Sequence, residues 1–251
     1  MPTIKNIIKH FPNAITLLNL VAGCISIVAS FEGQLEIAGL FILIAGVLDF
    51  LDGFTARLIK AYTLLGKELD SLSDVVSFGI APSMILFQLM KQSMAVPHGE
   101  GLLDGHWLLA IPFVMAAFSS LRLGIFNIDE RQTSSFIGLP TPANAFLIAG
   151  LVFGLDSTWS GLYSSITTSS TIIIVIVAIQ SFLLVCELPM FSLKLKSLNP
   201  KLAYKQFILI GGAIAFIAIF RKASLSFIIL WYIFLSVVFY FADKMFKNDN
   251  Q

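Results

Sequence analysis

Apolar runs of about twenty residues follow one another from Ala14 to Ala242, separated by polar breaks. A run of that length is what an α-helix needs to cross the hydrocarbon core of a bilayer. Inside lipid every backbone N–H and C=O must be satisfied within its own segment, so helices are the structure such runs can adopt. Only 12% of the residues are charged, against roughly 25% in a soluble domain, which excludes an ordinary water-soluble core. The predicted fold class is therefore all-α: one polytopic membrane helix bundle with about eight transmembrane helices.

The eight segments are Ala14 to Phe31, Leu35 to Phe54 with a polar continuation to Lys60, Leu72 to Met90, His106 to Phe126, Pro142 to Leu155, Thr171 to Leu188, Phe207 to Phe220 and Leu225 to Ala242. With both termini inside, Lys5, Lys9, Arg57, Lys60, Lys67, Arg131, Lys194, Lys196, Lys201, Lys205, Lys244 and Lys247 are cytoplasmic, and Lys91, Arg221 and Lys222 lie outside. This bias predicts a positive-inside orientation. The terminus MPTIKNIIKHFPN has no uninterrupted apolar core, so no cleaved signal peptide is expected. Cys24 and Cys186 sit in apolar stretches as helix-packing residues. A net charge of +1 predicts no nucleic-acid partner. No internal repeat is evident. The outer loop Asp156 to Ser170 reads as a connector, and the basic loop KLKSLNPKLAYK as a topology anchor or a contact for anionic head groups.

Against this background four acids stand out: Asp49, Asp52, Asp70 and Asp74. They occur at the ends of apolar runs, where a carboxylate is costly unless paired, metal-bound or functional. Asp49 and Asp52 are three residues apart and Asp70 and Asp74 four apart, so each pair shares a helix face. Two such faces on adjacent helices make a cluster whose mutual repulsion a divalent cation removes. Carboxylates with no nearby His or Cys suit magnesium or manganese better than zinc. Four acids can hold two ions, the arrangement that clamps a phosphoryl group and its leaving oxygen. Gly53, Ala56 and Gly66 remove bulk where a diphosphate or a helix approaches, and Arg57 offers a donor fork for phosphate oxygens. Asp74, nearest the membrane, is the candidate general base. The competing reading, a solvated helix end neutralised by Arg57, Lys60 and Lys67, explains single acids better than four with interleaved Gly, Ala and Arg.

The run D49-x-x-D52-G53-x-x-A56-R57, eight residues, then G66-x-x-x-D70-x-x-x-D74 resembles the signature of the CDP-alcohol phosphatidyltransferases at every defining position. The resemblance implies a core of six transmembrane helices over about residues 12 to 190, with residues 191–251 as an appended helix pair. It also implies displacement of CMP from a CDP-linked lipid by a second alcohol. Asp49, Asp52 and Asp70 would be ligands of a first metal, and Asp49, Asp70 and Asp74 of a second, with Asp74 also the base. Gly53, Ala56 and Arg57 would line the nucleotide and diphosphate. A homodimer is implied too, and GLFILIAG (Gly39 to Gly46) has small residues for close helix approach, between subunits or within one.

Three further stretches bear on the acceptor alcohol. In PNAITLLNLVAG, Asn13 is a candidate N-cap, and Thr16, Asn19 and Gly23 form a polar stripe. The stretch resembles the opening helix of the family's phosphatidylserine synthases, which places Asn13 and Thr16 near the cytidine. SSLRLGIFN (Ser119 to Asn127) resembles a segment of the same subgroup, with Gly124-Ile125 replacing its Ala-Arg. Arg122 would receive a substrate carboxylate or phosphate, or snorkel to the interface; Arg122 and Asn127 are the candidate acceptor residues. FIGLPTPANA (Phe136 to Ala145) matches the subgroup closely, and its prolines also suit a rigid loop and a helix start. No second arginine cluster stands near the acids, which favours an acceptor without its own phosphate. The expected substrates are CDP-diacylglycerol and L-serine. Rivals are the same chemistry on choline, glycerol phosphate or an ether lipid, and a cation transporter. A transporter's ion site usually lies near the bilayer midplane between repeats, unlike acids at one face of a repeat-free chain.

Overall fold

The computed structural model describes residues 10–129, 136–191 and 204–248. The basic loop 192–203, the terminal lysines Lys5 and Lys9, and Arg131 lie outside them.

Helix α1 spans Phe11–Phe31 and α2 Leu35–Leu58. A continuous rod α3, Leu64–Ser93, opens as an α-helix (Leu64–Asp74), passes through a π-helical stretch (Val75–Ile80) and closes as an α-helix (Ala81–Ser93). Helix α4 is Pro112–Ile128, entered through a 3-10 turn at Trp107–Ala110. Helix α5 (Thr141–Leu155) bends by 119° into the short α6 (Ser160–Thr167). Helices α7 (Ser170–Val185), α8 (Tyr204–Phe220) and α9 (Ser224–Asn248) complete the bundle. Strands β1 (Phe136–Ile137) and β2 (Pro189–Met190) pair antiparallel. The architecture is an all-α polytopic membrane bundle. Each of the eight expected segments coincides with one of these helices.

The differences are at the ends. The third segment begins at Leu64 rather than Leu72, because Thr63 caps the first turn by accepting a hydrogen bond from the Gly66 N–H at 2.9 Å. Asn13 is not an N-cap: α1 starts at Phe11, with Pro12 in its first turn and His10 before it. Part of the expected connector Asp156 to Ser170 is helical as α6, whose Tyr163 hydroxyl donates to the Ala223 carbonyl at 3.1 Å.

Buried residues of α1, α2, α3, α4, α5 and α7 form one core around Phe78, Ile42, Ile85, Ile148 and Met115. Large apolar side chains such as Val28, Val47, Phe54, Val175 and Ile179 are exposed on the outside, as expected where lipid is the neighbour. Helices α8 and α9 are an antiparallel hairpin zipped by Phe216–Phe227 and Tyr204–Phe239 ring contacts. The hairpin docks through α9 on α5, and α8 has no buried residue. At the end of the bundle away from the acids, Lys222 pairs with Glu36 at 3.2 Å and with Asp156, joining the hairpin turn to α2 and α5.

Gly39 and Gly46 of the small-residue stretch are used inside the protomer. A Cβ at Gly39 would meet the Phe153 ring at 3.3 Å and the Ala149 Cα at 3.6 Å, and one at Gly46 the Phe146 ring.

Candidate active site

The connection from α2 to α3 is short, and Lys60 takes a left-handed turn (φ 53°) within it. It folds the first half of α3 back against α1, and the side chains of the two acid pairs converge. Carboxylate oxygens of Asp49, Asp70 and Asp74 lie within 4.8 Å of one another. Asp52 is near enough to act electrostatically on all three. Asp52 and Asp74 are buried, at 5% and 8% exposure, although two oxygens would be hydrated in any free carboxylate.

No lysine or arginine forms an ion pair with the four acids among the described residues. Asp52 Oδ2 and Asp70 Oδ1 are buried without a hydrogen-bond partner, as is Asn19 Oδ1. Such oxygens are costly to leave unsatisfied, and a hard divalent cation satisfies several at once. The converging carboxylates, with no His or Cys in the group, fit magnesium or manganese.

Among the described residues Asp74 has one side-chain hydrogen-bond partner: Asn19 Nδ2 donates to its Oδ1 at 3.3 Å. Asn19 is completely buried on α1, and its carbonyl accepts from the Ser77 hydroxyl at 3.0 Å. Ser77 belongs to the π stretch that begins directly after Asp74, where the Ala81 N–H bonds the Val76 carbonyl five residues back. A π turn inside a rod re-aims the faces on either side of it, and such turns concentrate at functional sites. In the sequence Asn19 is one residue of a polar stripe, and nothing there signals the π turn.

Beside Asp52 and Asp70 opens a cavity of about 530 Å³ lined by Asn13, Thr16, Asp52, Gly53, Ala56 and Asp70, with Tyr62 and Lys67 among the other lining residues. Asn13 and Thr16 are buried in its wall; a Cβ at Gly66 would stand 3.0 Å from Asn13 Oδ1. Arg57 is exposed, with Nη1 within 3.5 Å of the Cβ position of Gly53 and its charge acting on Asp52. The residues expected at the nucleotide and diphosphate therefore meet around one opening.

The two candidate acceptor residues diverge from that cavity. Asn127 donates to Ser71 Oγ at 2.7 Å and its carbonyl accepts from Lys67 Nζ at 3.1 Å, fastening α4 to the acid-bearing half of α3. Arg122 does not snorkel. It is 5% exposed, and its Nε donates to the Leu139 carbonyl at 2.6 Å, so two of the three acceptor stretches bind each other. Leu139 is held in turn by its N–H to the Leu183 carbonyl at 2.8 Å. Gly138, at φ +76°, allows this: a Cβ there would lie 2.6 Å from the Leu184 carbonyl.

A membrane helix bundle with a carboxylate cluster and an adjoining cavity at one end defines a class, the integral membrane enzymes. Residues 9–240 match the family model for CDP-alcohol phosphatidyltransferases, and the chain belongs to that family. It is 30% identical over 253 residues to a CDP-diacylglycerol–serine O-phosphatidyltransferase of Mycobacterium leprae, covering 97% of this chain and 76% of that protein. Over 145 residues it is 32% identical to the Bacillus subtilis enzyme of the same name (58% of this chain, 76% of that protein). An archaetidylserine synthase of Methanothermobacter thermautotrophicus is 30% identical over 172 residues, covering 68% of this chain and 66% of that protein.

Proposed function

We propose that the protein transfers the phosphatidyl group of CDP-diacylglycerol to L-serine, giving phosphatidylserine and CMP. The observation that carries the reaction type is the convergence of Asp49, Asp70 and Asp74 beside Asp52 and the adjoining cavity. Serine as acceptor is supported by the names of the relatives and by the absence, among the described residues, of a second arginine cluster near the acids.

Asp49, Asp52 and Asp70 would hold one magnesium or manganese ion, and Asp49, Asp70 and Asp74 a second. When bound, such ions neutralise the diphosphate and stabilise the departing CMP oxygen. The chain does the rest. Gly53 and Ala56 let the diphosphate approach α2 closely, and Arg57 adds donors to its oxygens. Asn19, holding Asp74 Oδ1, leaves Oδ2 to take the proton of the serine hydroxyl. The serine oxygen forms its bond to the lipid-side phosphorus as the bond to the CMP oxygen breaks. No covalent intermediate is required, and positioning with charge stabilisation supplies most of the acceleration.

The positive-inside bias supports a cytoplasmic face for this end of the bundle, with the acyl chains entering sideways from the bilayer. The α8–α9 hairpin is read as an addition to a six-helix core, and the functional unit as a homodimer.

The test is purified protein with CDP-diacylglycerol, manganese or magnesium, and a panel of serine, glycerol phosphate, inositol, choline and an ether-linked CDP lipid. Serine-dependent, metal-dependent CMP release with labelled phosphatidylserine is expected. Release with another alcohol only would overturn the serine assignment, and cation flux without CMP release would favour a transporter. Manganese itself should raise the melting temperature. At a hundredfold excess over Kd the gain is about 2.7 kcal/mol, or several degrees at roughly 2–4 °C per kcal/mol. Asp70→Asn should remove most of that shift; an undiminished shift in thermal denaturation would place the ion elsewhere.

A further inference from the structure

Buried amides and hydroxyls without partners mark a second polar place in the bundle, apart from the acids. Asn144 is completely buried and Gln180 98% buried, and in both residues the side-chain oxygen and nitrogen find no hydrogen-bond partner. The hydroxyls of Ser119 (0% exposed) and Ser181 (4% exposed) are in the same condition. Leaving four such side chains unsatisfied in an apolar bundle is costly. Leu, Met or Ala would fill the same positions without that penalty.

These residues lie at one depth. Arg122, Leu139 and Leu183 are joined by the Arg122 Nε bond to the Leu139 carbonyl and the Leu139 N–H bond to the Leu183 carbonyl. From that junction three helices run away from the acidic end. Ser119 is one turn back along α4, Gln180 one turn back along α7, and Asn144 one turn on from Pro140 along α5. Helices α4 and α7 pack side by side. The π stretch of α3 stands between α4 and α5: Ser119 Cβ lies 3.3 Å from the Cβ position of Gly79, and Phe78 meets Phe146 edge-on at 6.3 Å.

The same contacts relate this layer to Asp74. Along α3, Ser71 is bound by Asn127 and Gly79 touches Ser119, so Asp74 lies between them, level with the Arg122 junction. Gly79, which Ser119 touches, stands five residues beyond Asp74 on α3, so the amide layer is about 7 Å deeper. A three-carbon hydroxy amino acid with a hydrogen bond at each end spans that depth.

We propose that Ser119, Asn144 and Gln180, together with Arg122, form the seat for the charged end of the acceptor, the carboxylate and ammonium of an amino acid whose hydroxyl is presented to Asp74. Arg122 faces the carboxylate, and the two amides serve both groups, since each offers donors and an acceptor. This deepens the serine reading and rests on it. The prediction separates substrates rather than abolishing turnover.

The experiment is steady-state kinetics on Asn144→Leu and Gln180→Leu, which keep bulk and remove the amide, and on Ser119→Ala, which removes one hydroxyl. Labelled serine and CDP-diacylglycerol in mixed micelles are varied in turn, with the manganese-induced thermal shift as a check on folding. The expected result is a serine KM raised 10- to 100-fold in the leucine variants and 3- to 10-fold in Ser119→Ala, with the KM for CDP-diacylglycerol within twofold of wild type. An unchanged serine KM overturns the inference, and so does a parallel rise in both KM values, which marks a packing role. If a leucine variant loses the thermal shift, the decision falls to Ser119→Ala on the same criteria. Failure of the serine reading looks different: wild type then makes no phosphatidylserine but releases CMP to another alcohol, and the same KM split is read against that alcohol.

Discussion

Asp74→Asn is expected to lower phosphatidyl transfer at least 10³-fold while leaving the protein folded. Asparagine has the shape of aspartate and keeps an oxygen for the Asn19 amide, whose bond to Oδ1 is 3.3 Å long. What it lacks, on the proposed mechanism, is the site for the serine proton, together with one negative charge among four. A positioned general base contributes typically 10²–10⁴-fold, and the lost ligand charge acts in the same direction. Asp74 is also the most suitable acid for the task by position, being buried on the membrane side of the cluster where α3 changes to its π turn. The measurement is labelled serine incorporation at saturating CDP-diacylglycerol and manganese. Retention of more than a tenth of wild-type activity would remove the base from Asp74. The manganese thermal shift separates the two contributions: kept in Asp74→Asn, it assigns the loss to proton transfer; abolished, it assigns the loss to the metal site. Asn19→Leu should cost less, about 10-fold, because Asp74 keeps its chemistry and loses only its orientation.

The helices and the acids were legible because each has a local signature. An apolar run of about twenty residues has one stable conformation in lipid, so all eight segments are found where expected. The carboxylates stood out because their cost in such a setting demands an explanation, and the structure brings them together. Direction was less legible. In a bundle that is apolar on both its lipid and its core faces, periodicity carries little information about which side of a helix is buried. Arg122 was thus placed by sequence as a residue facing substrate or snorkelling, while its first partner is the Leu139 carbonyl. The sequence offers Asn13 both as a cap and as a residue near the cytidine; Pro12 in the first turn moves the helix start ahead of it and removes the cap, and Asn13 stands in the cavity wall. The π turn after Asp74 has no signature in VVSFGI, and its Ser77 is fitted against Asn19 and Gly23 on another helix, a contact no local pattern signals. Asn144 and Gln180 each look like an ordinary polar residue in an apolar helix. Only burial without partners sets them apart.

That fit between α1 and the π turn carries the second large effect, expected for Gly23→Ala. A methyl at Gly23 would stand 2.8 Å from the Ser77 Cα and closer still to its hydroxyl. Carbon atoms rest at about 3.5–4.0 Å, so α1 and α3 must separate by roughly 0.7 Å. A backbone atom cannot swing aside as a side chain does. The separation pulls on the Ser77 hydroxyl bond to the Asn19 carbonyl and, one turn away, on the long Asn19–Asp74 bond, which at 3.3 Å has little room before it is lost. Overpacking of this kind costs typically 1–3 kcal/mol, and displacement of a reacting group by about 1 Å costs on the order of 10²-fold in rate. Gly23→Ala is therefore expected to lower the melting temperature by a few degrees and transfer activity by about 100-fold. The activity should fall more than the stability alone accounts for at the assay temperature. Gly124→Ala is the matched control, because nothing lies within 4 Å of its Cβ position on α4; it should leave both quantities near wild type. A Gly23→Ala protein with wild-type turnover would mean that the Asn19 contact does not position Asp74, and that the π turn has no part in aiming the acid.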